Sequence, residues 1–461
     1  MKITLAFLLL LLTGCASTSL AQNDNRYNAI HSGIAWFDQH NKEVNAHGSC
    51  IVKEGDTYFL FGEYKSDTLN AFTGFSCYSS NDLMNWKFER IVLPRQADGL
   101  LGPNRIGERV KVMKCESTGE YVMYMHADDL GYRDPHVGYA TSKTIDGEYE
   151  FQGALLFDGK PIRRWDLGSY QDDDGTGYLL AHEGNIYKLA SDYKSVEQIV
   201  LTGAAPGGES PAMFKHRGIY YWMFSNKTSW ERNDNYYLTA TAIEGPWNKR
   251  GLIAPEGSLT WNSQCSFILP VYGKNDTTYI YTGDRWSFPK QGSAGTYVWQ
   301  PIVLEGDAMS LPAFQSSWSI DPKTAQWQSV EIKSKVLRKP GTTKGGWEKW
   351  GEMLVSKVKG AALTYSFKGR QIGIRGLTNS TGGYAHLILT NSKKEEIINT
   401  YVDFSSKAEV SSLRFMSPLL ESDSYTLTIE VVGIHPMWTD KAKNIFGSSD
   451  DYVCIEEVFV L

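Results

Sequence analysis

The chain has 461 residues and a formal net charge of -6, with 42% hydrophobic and 21% charged residues. This balance excludes a disordered or fibrous chain, and the absence of Lys/Arg blocks argues against nucleic acid as a partner. The length leaves room for two or three domains. A content of 14 Trp, 26 Tyr, 19 Phe and 43 Gly predicts short strands and tight turns. Abundant Trp and Tyr are also compatible with flat ligands such as sugars, although buried β structure is rich in aromatic residues too.

The amino terminus has the pattern of an export signal. One positive charge precedes the apolar run Ile3–Leu12, which is too short to span a bilayer. Leu12-Thr13-Gly14-Cys15 resembles the bacterial lipobox, in which the cysteine is lipidated and becomes the first mature residue. We therefore predict a lipoprotein signal peptide and tether over residues 1–22, a lipid anchor on Cys15 and an outer-membrane location. Cleavage near Ala21, giving a soluble secreted or periplasmic protein, is the alternative.

Five cysteines remain after Cys15, namely Cys50, Cys77, Cys115, Cys265 and Cys454. An odd number without C-x-x-C spacing indicates neither a disulfide framework nor a zinc site. Four of them lie in apolar, strand-like runs, where we expect buried free thiols. One disulfide is also compatible with an exported chain. No metal and no cofactor is predicted.

Beyond residue 26, helical periodicity is almost absent, and short apolar runs alternate with Gly, Asp and Asn turns. Five pairs of strand-like runs recur along the chain. A polar residue stands directly before the first strand of each pair, and these residues are His47, Glu108, Asp166, Glu209 and Gln264. Their spacing identifies an internal repeat.

This repeat predicts an all-β fold whose catalytic domain is a five-bladed β-propeller over residues 26–327, although the period exceeds the ~40–50 residues typical of propeller blades. A jelly roll or a long barrel is the alternative, but neither predicts polar residues in matching positions of five strand pairs. The Pro/Gly/Thr/Lys-rich stretch near residue 340 predicts a linker over 328–345. Alternating strands beyond it predict a C-terminal β-sandwich, jelly-roll-like, as an accessory domain over 346–461.

The polar residues at the strand heads carry the chemistry. The inner strands of a propeller run along one axis, so their heads converge on one face, and three of them are carboxylates: Glu108, Asp166 and Glu209. Glycoside hydrolysis needs one carboxylic acid to protonate the leaving oxygen and a second group to position or deprotonate water. Neighbouring negative charge keeps such an acid protonated near neutrality. Phosphoryl and acyl transfer lack their usual Gly-rich loop and G-x-S-x-G motif here.

Eight short segments occur in order along the repeat: Ala46–Gly48, Phe61–Lys65, Glu108–Val112, Asp166 with Asp172–Gly175, Glu209–Lys215, Thr228–Trp230, Gln264 with Phe267–Pro270, and Gly283–Trp286. As a set they resemble glycoside hydrolase family 43, in particular its exo-β-1,3-galactanase branch, over nearly the whole predicted propeller. The resemblance implies an inverting glycosidase. Such an enzyme releases galactose from the non-reducing end of a polysaccharide or oligosaccharide substrate, β-1,3-galactan or arabinogalactan.

The resemblance also implies roles for the strand heads. Glu209 matches the general acid, and Asp166 matches the carboxylate that tunes and orients it. Ordinary family members carry an aspartate base at the head of the first blade, whereas this chain has His47-Gly48 there. The galactanase branch shares this departure and has a glutamine where Gln264 stands. The branch is proposed to use an imidic-acid tautomer of this glutamine, and Glu108 is a candidate to assist it. A neutral amide is a poor base, however, and is easier to defend as a group that positions water. The sequence therefore leaves the identity of the general base undecided.

By the same resemblance, four residues would line the sugar subsite: Glu63, Tyr132, Thr228 and Trp230. Ordinary packing within a blade is the alternative for each. His47 either donates to the sugar or caps its turn, and Arg285-Trp286 is either a stacked substrate pair or a structural cation–π contact. An α-L-arabinofuranosidase or β-xylosidase of the same family is the nearest enzymatic rival. A non-catalytic glycan-binding lipoprotein is the rival from another class.

Overall fold

The computed structural model describes residues 26–227, 229, 232–439 and 443–461. The predicted signal peptide and tether, including Cys15, lie outside the described residues, as do Thr228 and Trp230. The protein is 53% strand and 3% helix, so the all-β prediction is confirmed at this level.

Five antiparallel sheets follow one another along the chain, and the strands of each are hydrogen-bonded in sequence order. Sheet 1 has His47–Glu54, Thr57–Glu63, Gly74–Ser80 and Lys87–Pro94; sheet 2 has Arg105–Lys114, Tyr121–Asp129, His136–Ser142 and Glu150–Ala154; sheet 3 has Leu167–Gln171, Gly177–Ala181, Asn185–Leu189 and Val196–Leu201. Sheet 4 has Glu209–His216, Ile219–Ser225, Asn235–Ala240 and Asn248–Leu252, and sheet 5 has Gln264–Tyr272, Thr277–Arg285 and Thr296–Pro301.

The first strands of these five sheets contact one another in cyclic order, since each touches the next and that of sheet 5 touches that of sheet 1. Glycine permits one of these close approaches. A Cβ on Gly168, in sheet 3, would lie 2.1 Å from the carbonyl oxygen of Pro211 in sheet 4. The closed order brings together the beginnings of strands that are far apart in sequence.

Short elements complete this part of the chain. Strand Ile30–His31 pairs with Ser317–Ile320, which pairs with Trp327–Ser329, so the chain before sheet 1 joins the chain after sheet 5. The remaining elements are two hairpins (Leu156–Phe157 with Lys160–Pro161, Val303–Glu305 with Ala308–Ser310), a 3-10 turn at Gly99–Leu101, and helical turns at Leu259–Asn262 and Gln291–Ala294. Within the described ranges, no helix has the length and apolar character needed to cross a membrane.

Two larger sheets form the C-terminal part. Sheet 6 has the order Glu348–Trp350, Met353–Ser356, Val453–Val460, Ile372–Thr378, Val410–Met416, with Lys335–Val336 also pairing with Val453–Val460. Sheet 7 has the order Thr342–Lys344, Ala362–Gly369, Asp423–Val431, Tyr384–Thr390, Glu396–Asp403, and a hairpin joins Met437–Thr439 to Ile445–Gly447. The segment predicted as a linker, 328–345, thus contributes two short strands to these sheets. Alternate residues such as Leu427 and Ile429 are buried, which matches sheets with one packed face.

The five cysteines Cys50, Cys77, Cys115, Cys265 and Cys454 are free and buried. Burial raises the pKa of Cys50 to about 11 and that of Cys265 to about 12. These two thiols therefore stay protonated at neutral pH and act as small apolar groups in the core.

Three buried tryptophans pack together around the last strand of sheet 5. Trp299 is fully buried, and its ring lies 4.9 Å from that of Trp36 and 5.9 Å from that of Trp86. We expect Trp299→Ala to lower the free energy of unfolding by about 3–5 kcal/mol, because it leaves a large cavity. Urea unfolding followed by circular dichroism measures this. Tyr272→Ala, at an exposed position of the same sheet, is the control and should cost less than ~0.5 kcal/mol; equal losses would contradict the assignment of the core.

Candidate active site

One buried arginine connects the heads of several sheets. Arg109, in the first strand of sheet 2, donates from Nε to Oδ1 of Asp166 at 3.0 Å and from Nη2 to Oε1 of Gln264. Its backbone N–H donates to Oε1 of Glu63 at 2.8 Å, and its Nη1 donates to the carbonyl of Cys265 at 3.2 Å. Residues from the heads of sheets 1, 2, 3 and 5 therefore meet at one arginine. Arg109 lies in the motif Glu108–Val112, but the sequence pattern alone indicates no role for it.

Glu209 has the properties of a general acid. Its side chain is one fifth exposed, and Nζ of Lys227 lies 3.7 Å from its carboxyl group. Burial raises the pKa of Glu209 to about 7, the negative charge of Asp166 adds to this rise, and the positive charges of Lys227 and Arg109 oppose it. Much of the Glu209 population is therefore protonated at neutral pH, as a proton donor to a leaving group requires.

Glu108 is held in the opposite state. Its Oε1 accepts hydrogen bonds from Oη of Tyr132 at 2.8 Å and from Nδ2 of Asn70 at 3.3 Å, and Nζ of Lys65 lies 3.4 Å away. Although burial alone would raise it, Lys65, His126 and Tyr132 hold the pKa of Glu108 well below its usual range. The site thus contains one carboxyl group that keeps its proton and one that has lost it, the division of roles seen in acid–base catalysis.

His126 supports the charge of Glu108. Its Nε2 lies 3.0 Å from Oδ2 of Asp128, and its Nδ1 lies 3.7 Å from Oε2 of Glu108. Although burial opposes it, these carboxylates raise the pKa of His126 to about 9. The ring is therefore an imidazolium at neutral pH. Nothing in the sequence pattern distinguished this histidine from others in buried strands.

Glu63 occupies space that another residue would otherwise fill. Oε2 of Glu63 lies 2.6 Å from Nζ of Lys65, and burial raises its pKa while the charge of Lys65 opposes the rise. Gly48 faces the same carboxyl group with φ at 57°, and a Cβ there would lie 2.1 Å from Oε1 of Glu63. Glycine is therefore required at position 48 as long as Glu63 stands in this place.

The amide of Gln264 is fixed through its oxygen. Oε1 accepts from Nη2 of Arg109 and from Nε1 of Trp286 at 3.0 Å. Both partners can only donate, so the position of the amide oxygen is decided by chemistry. An oxygen that accepts from a guanidinium and an indole is poorly placed to take a further proton, whereas the rigidly held amide is well suited to orient a water molecule.

Trp286 lies between the charged groups. Its ring is 5.6 Å from Nζ of Lys65 and 5.7 Å from Cζ of Arg109, and the residue is 8% exposed. Its neighbour Arg285 points elsewhere, donating to the backbone carbonyls of Gly33 at 3.1 Å and Trp261 at 2.7 Å. Burial lowers the pKa of Arg285 to about 9. The structure therefore places Trp286 among the converging strand heads and Arg285 against backbone.

His47 is fully buried at the head of sheet 1. Its Nδ1 lies 3.1 Å from Oδ1 of Asp284, and its ring stacks on Tyr297 with centroids 5.1 Å apart. Asp284 also accepts from the backbone N–H of Gly48 at 3.0 Å and from the hydroxyl of Ser266. These contacts hold the head of sheet 1 to sheet 5. Asp284 lies inside a motif noted in the sequence, yet its position there gave no sign of this role.

The C-terminal sheets contact the active-site region through Ser287. The hydroxyl of Ser287, next to Trp286, donates to Oδ2 of Asp403 at 2.8 Å and lies 3.0 Å from Oη of Tyr384. Asp403 ends a strand of sheet 7 and is held by the backbone N–H of Ser405 at 2.7 Å. The strand end that presents the indole to Gln264 is therefore anchored to the C-terminal sheets.

Comparison with known proteins adds to this geometry. No profile of a known protein family matches the chain. An exo-β-1,3-galactanase of Phanerochaete chrysosporium, solved with galactose, is 26% identical, with 94% of this chain and 100% of that chain covered and a TM-score of 0.68. An exo-β-1,3-galactanase candidate from Bifidobacterium bifidum s17 is 37% identical over 61% of this chain and 95% of its own, with a TM-score of 0.57. A β-D-galactofuranosidase of Aspergillus niger is 26% identical over 211 residues, which are 41% of this chain and 59% of that protein.

Glu209 and Glu108 are largely buried where the strand heads meet, and one is protonated while the other is ionised. A glycosidase needs such a pair of carboxyl groups, and the similar proteins are glycosidases. The protein is a glycoside hydrolase. Its motifs had suggested one family in particular. The chain belongs to glycoside hydrolase family 43.

The raised pKa of Glu209 predicts how activity depends on pH. Because the protonated acid is the active form, kcat/KM should fall as the pH rises above about 7. Lys227→Gln removes a positive charge that lowers this pKa, so its decline should begin at higher pH. Profiles of kcat/KM against pH on a cleaved glycoside measure the shift, with the exposed Lys274→Gln as control. A shift of the Lys227 variant toward lower pH would contradict the assignment of Glu209.

Proposed function

We propose that the protein is an inverting, exo-acting β-1,3-galactosidase that releases galactose from β-1,3-galactan or arabinogalactan. The observation that carries the proposal is Glu209, a partly exposed carboxyl group with a pKa of about 7 beside Asp166. The fungal relative has been solved with galactose, and glutamate variants of that enzyme with β-1,3-galactotriose. These ligands support a galactose-containing oligosaccharide as the substrate class.

The reaction uses the groups in separate roles. Glu209 donates its proton to the oxygen between the terminal galactose and the next sugar, and Asp166 raises the pKa that makes this donation effective. Gln264, held by Arg109 and Trp286, orients the water that attacks the opposite face of the sugar. Glu108 is ionised, and its charge stabilises the oxocarbenium character of the sugar. As the oxygen of the water bonds to the anomeric carbon and the glycosidic bond breaks, the proton that the water loses passes to this carboxylate.

The sugar subsite is proposed to include Glu63 and Tyr132, both in contact with the charged groups of the site, together with Thr228 and Trp230. The hydroxyl of Tyr132 is already bound to Glu108 and to Asn70 at 2.7 Å, so the ring is positioned before substrate arrives. Such prior ordering reduces the entropy lost on binding. Trp286 contributes its indole N–H to the same network.

The cyclic contacts of sheets 1 to 5 support a five-bladed β-propeller as the catalytic domain over residues 26–327. Sheets 6 and 7 support an accessory β-sandwich over 346–461, and residues 328–345 connect the two domains. We also propose that the chain is exported as a lipoprotein anchored through Cys15 to the outer membrane. Labelling with a radioactive fatty acid, compared between the natural chain and Cys15→Ser, tests the anchor.

Replacement of the acid is the most direct test. Glu209→Gln removes the proton donor and preserves the shape of the side chain, so release of galactose from β-1,3-galactan should fall at least ~10²-fold. Chromatography of the released sugar measures it. Glu244→Gln is the control, at an exposed glutamate in the turn between the last two strands of sheet 4, and should retain full activity. Undiminished turnover by Glu209→Gln would reject the acid, and release from arabinan or xylan instead of galactan would reject the substrate.

The stereochemistry of the product is a second test. A water molecule held by Gln264 on the face opposite to Glu209 gives galactose with inverted configuration. Proton NMR during the first minutes of hydrolysis should therefore show the α anomer arising from the β linkage, before mutarotation. Initial β-galactose would contradict the inverting mechanism and leave the family assignment intact.

A further inference from the structure

An exposed tryptophan immediately precedes one of the carboxylates of the site in the chain. Trp165 precedes Asp166 in the chain and is 36% exposed, although its ring is stacked on His182 with centroids 3.6 Å apart and planes 11° from parallel. His182 is 2% exposed, and its Nδ1 lies 2.8 Å from the carbonyl oxygen of Trp165. One face of the indole is therefore covered and held in place, and the exposed area belongs to the rest of the ring.

The backbone ties this pair to the acid side of the site. The N–H of His182 donates to the carbonyl of Asp166 at 3.2 Å, and the N–H of Glu183 donates to the carbonyl of Gly208, next to Glu209, at 2.6 Å. The pair thus sits where the heads of sheets 3 and 4 adjoin. Glu209 protonates the oxygen that links the terminal sugar to the next one, so the departing sugar lies on the side of this residue.

We propose that Trp165, backed by His182, is a stacking platform for the galactose unit on the leaving-group side of the cleaved bond. The inference rests on the proposed function. The axial O4 of galactose leaves the C–H groups of C3, C4 and C5 together on one face of the ring. Such a face packs well on an indole, whose flat surface combines large contact area with little loss of conformational freedom. His182 is neutral because burial lowers its pKa. Its stacked ring keeps the indole in one orientation before substrate binds.

Two substrates separate this role from general damage to the site. β-1,3-Galactotriose places sugars on both sides of the cleaved bond, whereas β-galactosyl fluoride places nothing beyond it. Trp165→Ala should lower kcat/KM for the trisaccharide about tenfold and leave that for the fluoride unchanged. Trp165→Phe, which keeps a flat ring, should recover most of the loss. Trp350→Ala, at an exposed tryptophan of sheet 6, is the matched control and should change neither value.

Equal losses on both substrates would overturn the platform in favour of a structural role, and no loss on the trisaccharide would overturn it outright. Calorimetry gives a result that does not depend on turnover. In the Glu209→Gln background, Trp165→Ala should weaken binding of β-1,3-galactotriose about tenfold without weakening that of galactose. Failure of the natural enzyme to cleave the trisaccharide would count against the proposed function alone. Equal trisaccharide binding by Glu209→Gln with and without Trp165→Ala would count against the platform.

Discussion

Everything in the active site depends on the burial of one guanidinium, that of Arg109. Heads of sheets 1, 2, 3 and 5 meet at this residue, because its side chain binds Asp166 and Gln264 and its backbone N–H binds Glu63. A charge taken out of water is tolerated only when it is paired and hydrogen-bonded, and the surrounding carboxylates meet both needs, raising the pKa of Arg109 in spite of its burial. The planar fork also sets directions. It holds the amide of Gln264 and the carboxylate of Asp166 from a single rigid group.

The distribution of charge around this centre explains why two glutamates of similar burial differ in protonation. Lys65 and His126 lie beside Glu108, both largely buried, whereas Glu209 has the negative charge of Asp166 as neighbour and its ion-pair partner Lys227 is half exposed to solvent. Cations are thus gathered on the side of sheets 1 and 2, and the acid stands on the side of sheets 3 and 4. The same separation gives the two sides of the site different electrostatic character. The protein divides its acid and its charge-stabilising carboxylate by location, without any difference in side-chain chemistry.

The strand heads were predictable because their position follows from the repeat, and a ring of sheets converts equal positions into spatial neighbours. Glu108, Asp166, Glu209 and Gln264 were found in this way. Residues whose importance depends on the direction of a side chain could not be predicted from the repeat. Arg109, Asp284 and Lys65 stand inside recognised motifs whose pattern gives them no role, and His126 lies among buried residues of the strand Tyr121–Asp129. A pattern of residue types records spacing, but it does not record which carboxylate a buried cation reaches. The backbone contacts of Arg285 were equally invisible, since carbonyl acceptors leave no trace in the sequence.

The packing of Gly48 against Glu63 couples the choice of residue at these two positions. A side chain at position 48 is opposed twice, by a left-handed backbone and by the oxygen 2.1 Å from the missing Cβ. A carboxylate placed there beside Glu63 would crowd two like charges into one buried site, whereas loss of Glu63 without a replacement would leave Lys65 without its nearest counter-ion. Neither position can therefore be changed independently of the other, and the two residues behave as a single unit under substitution.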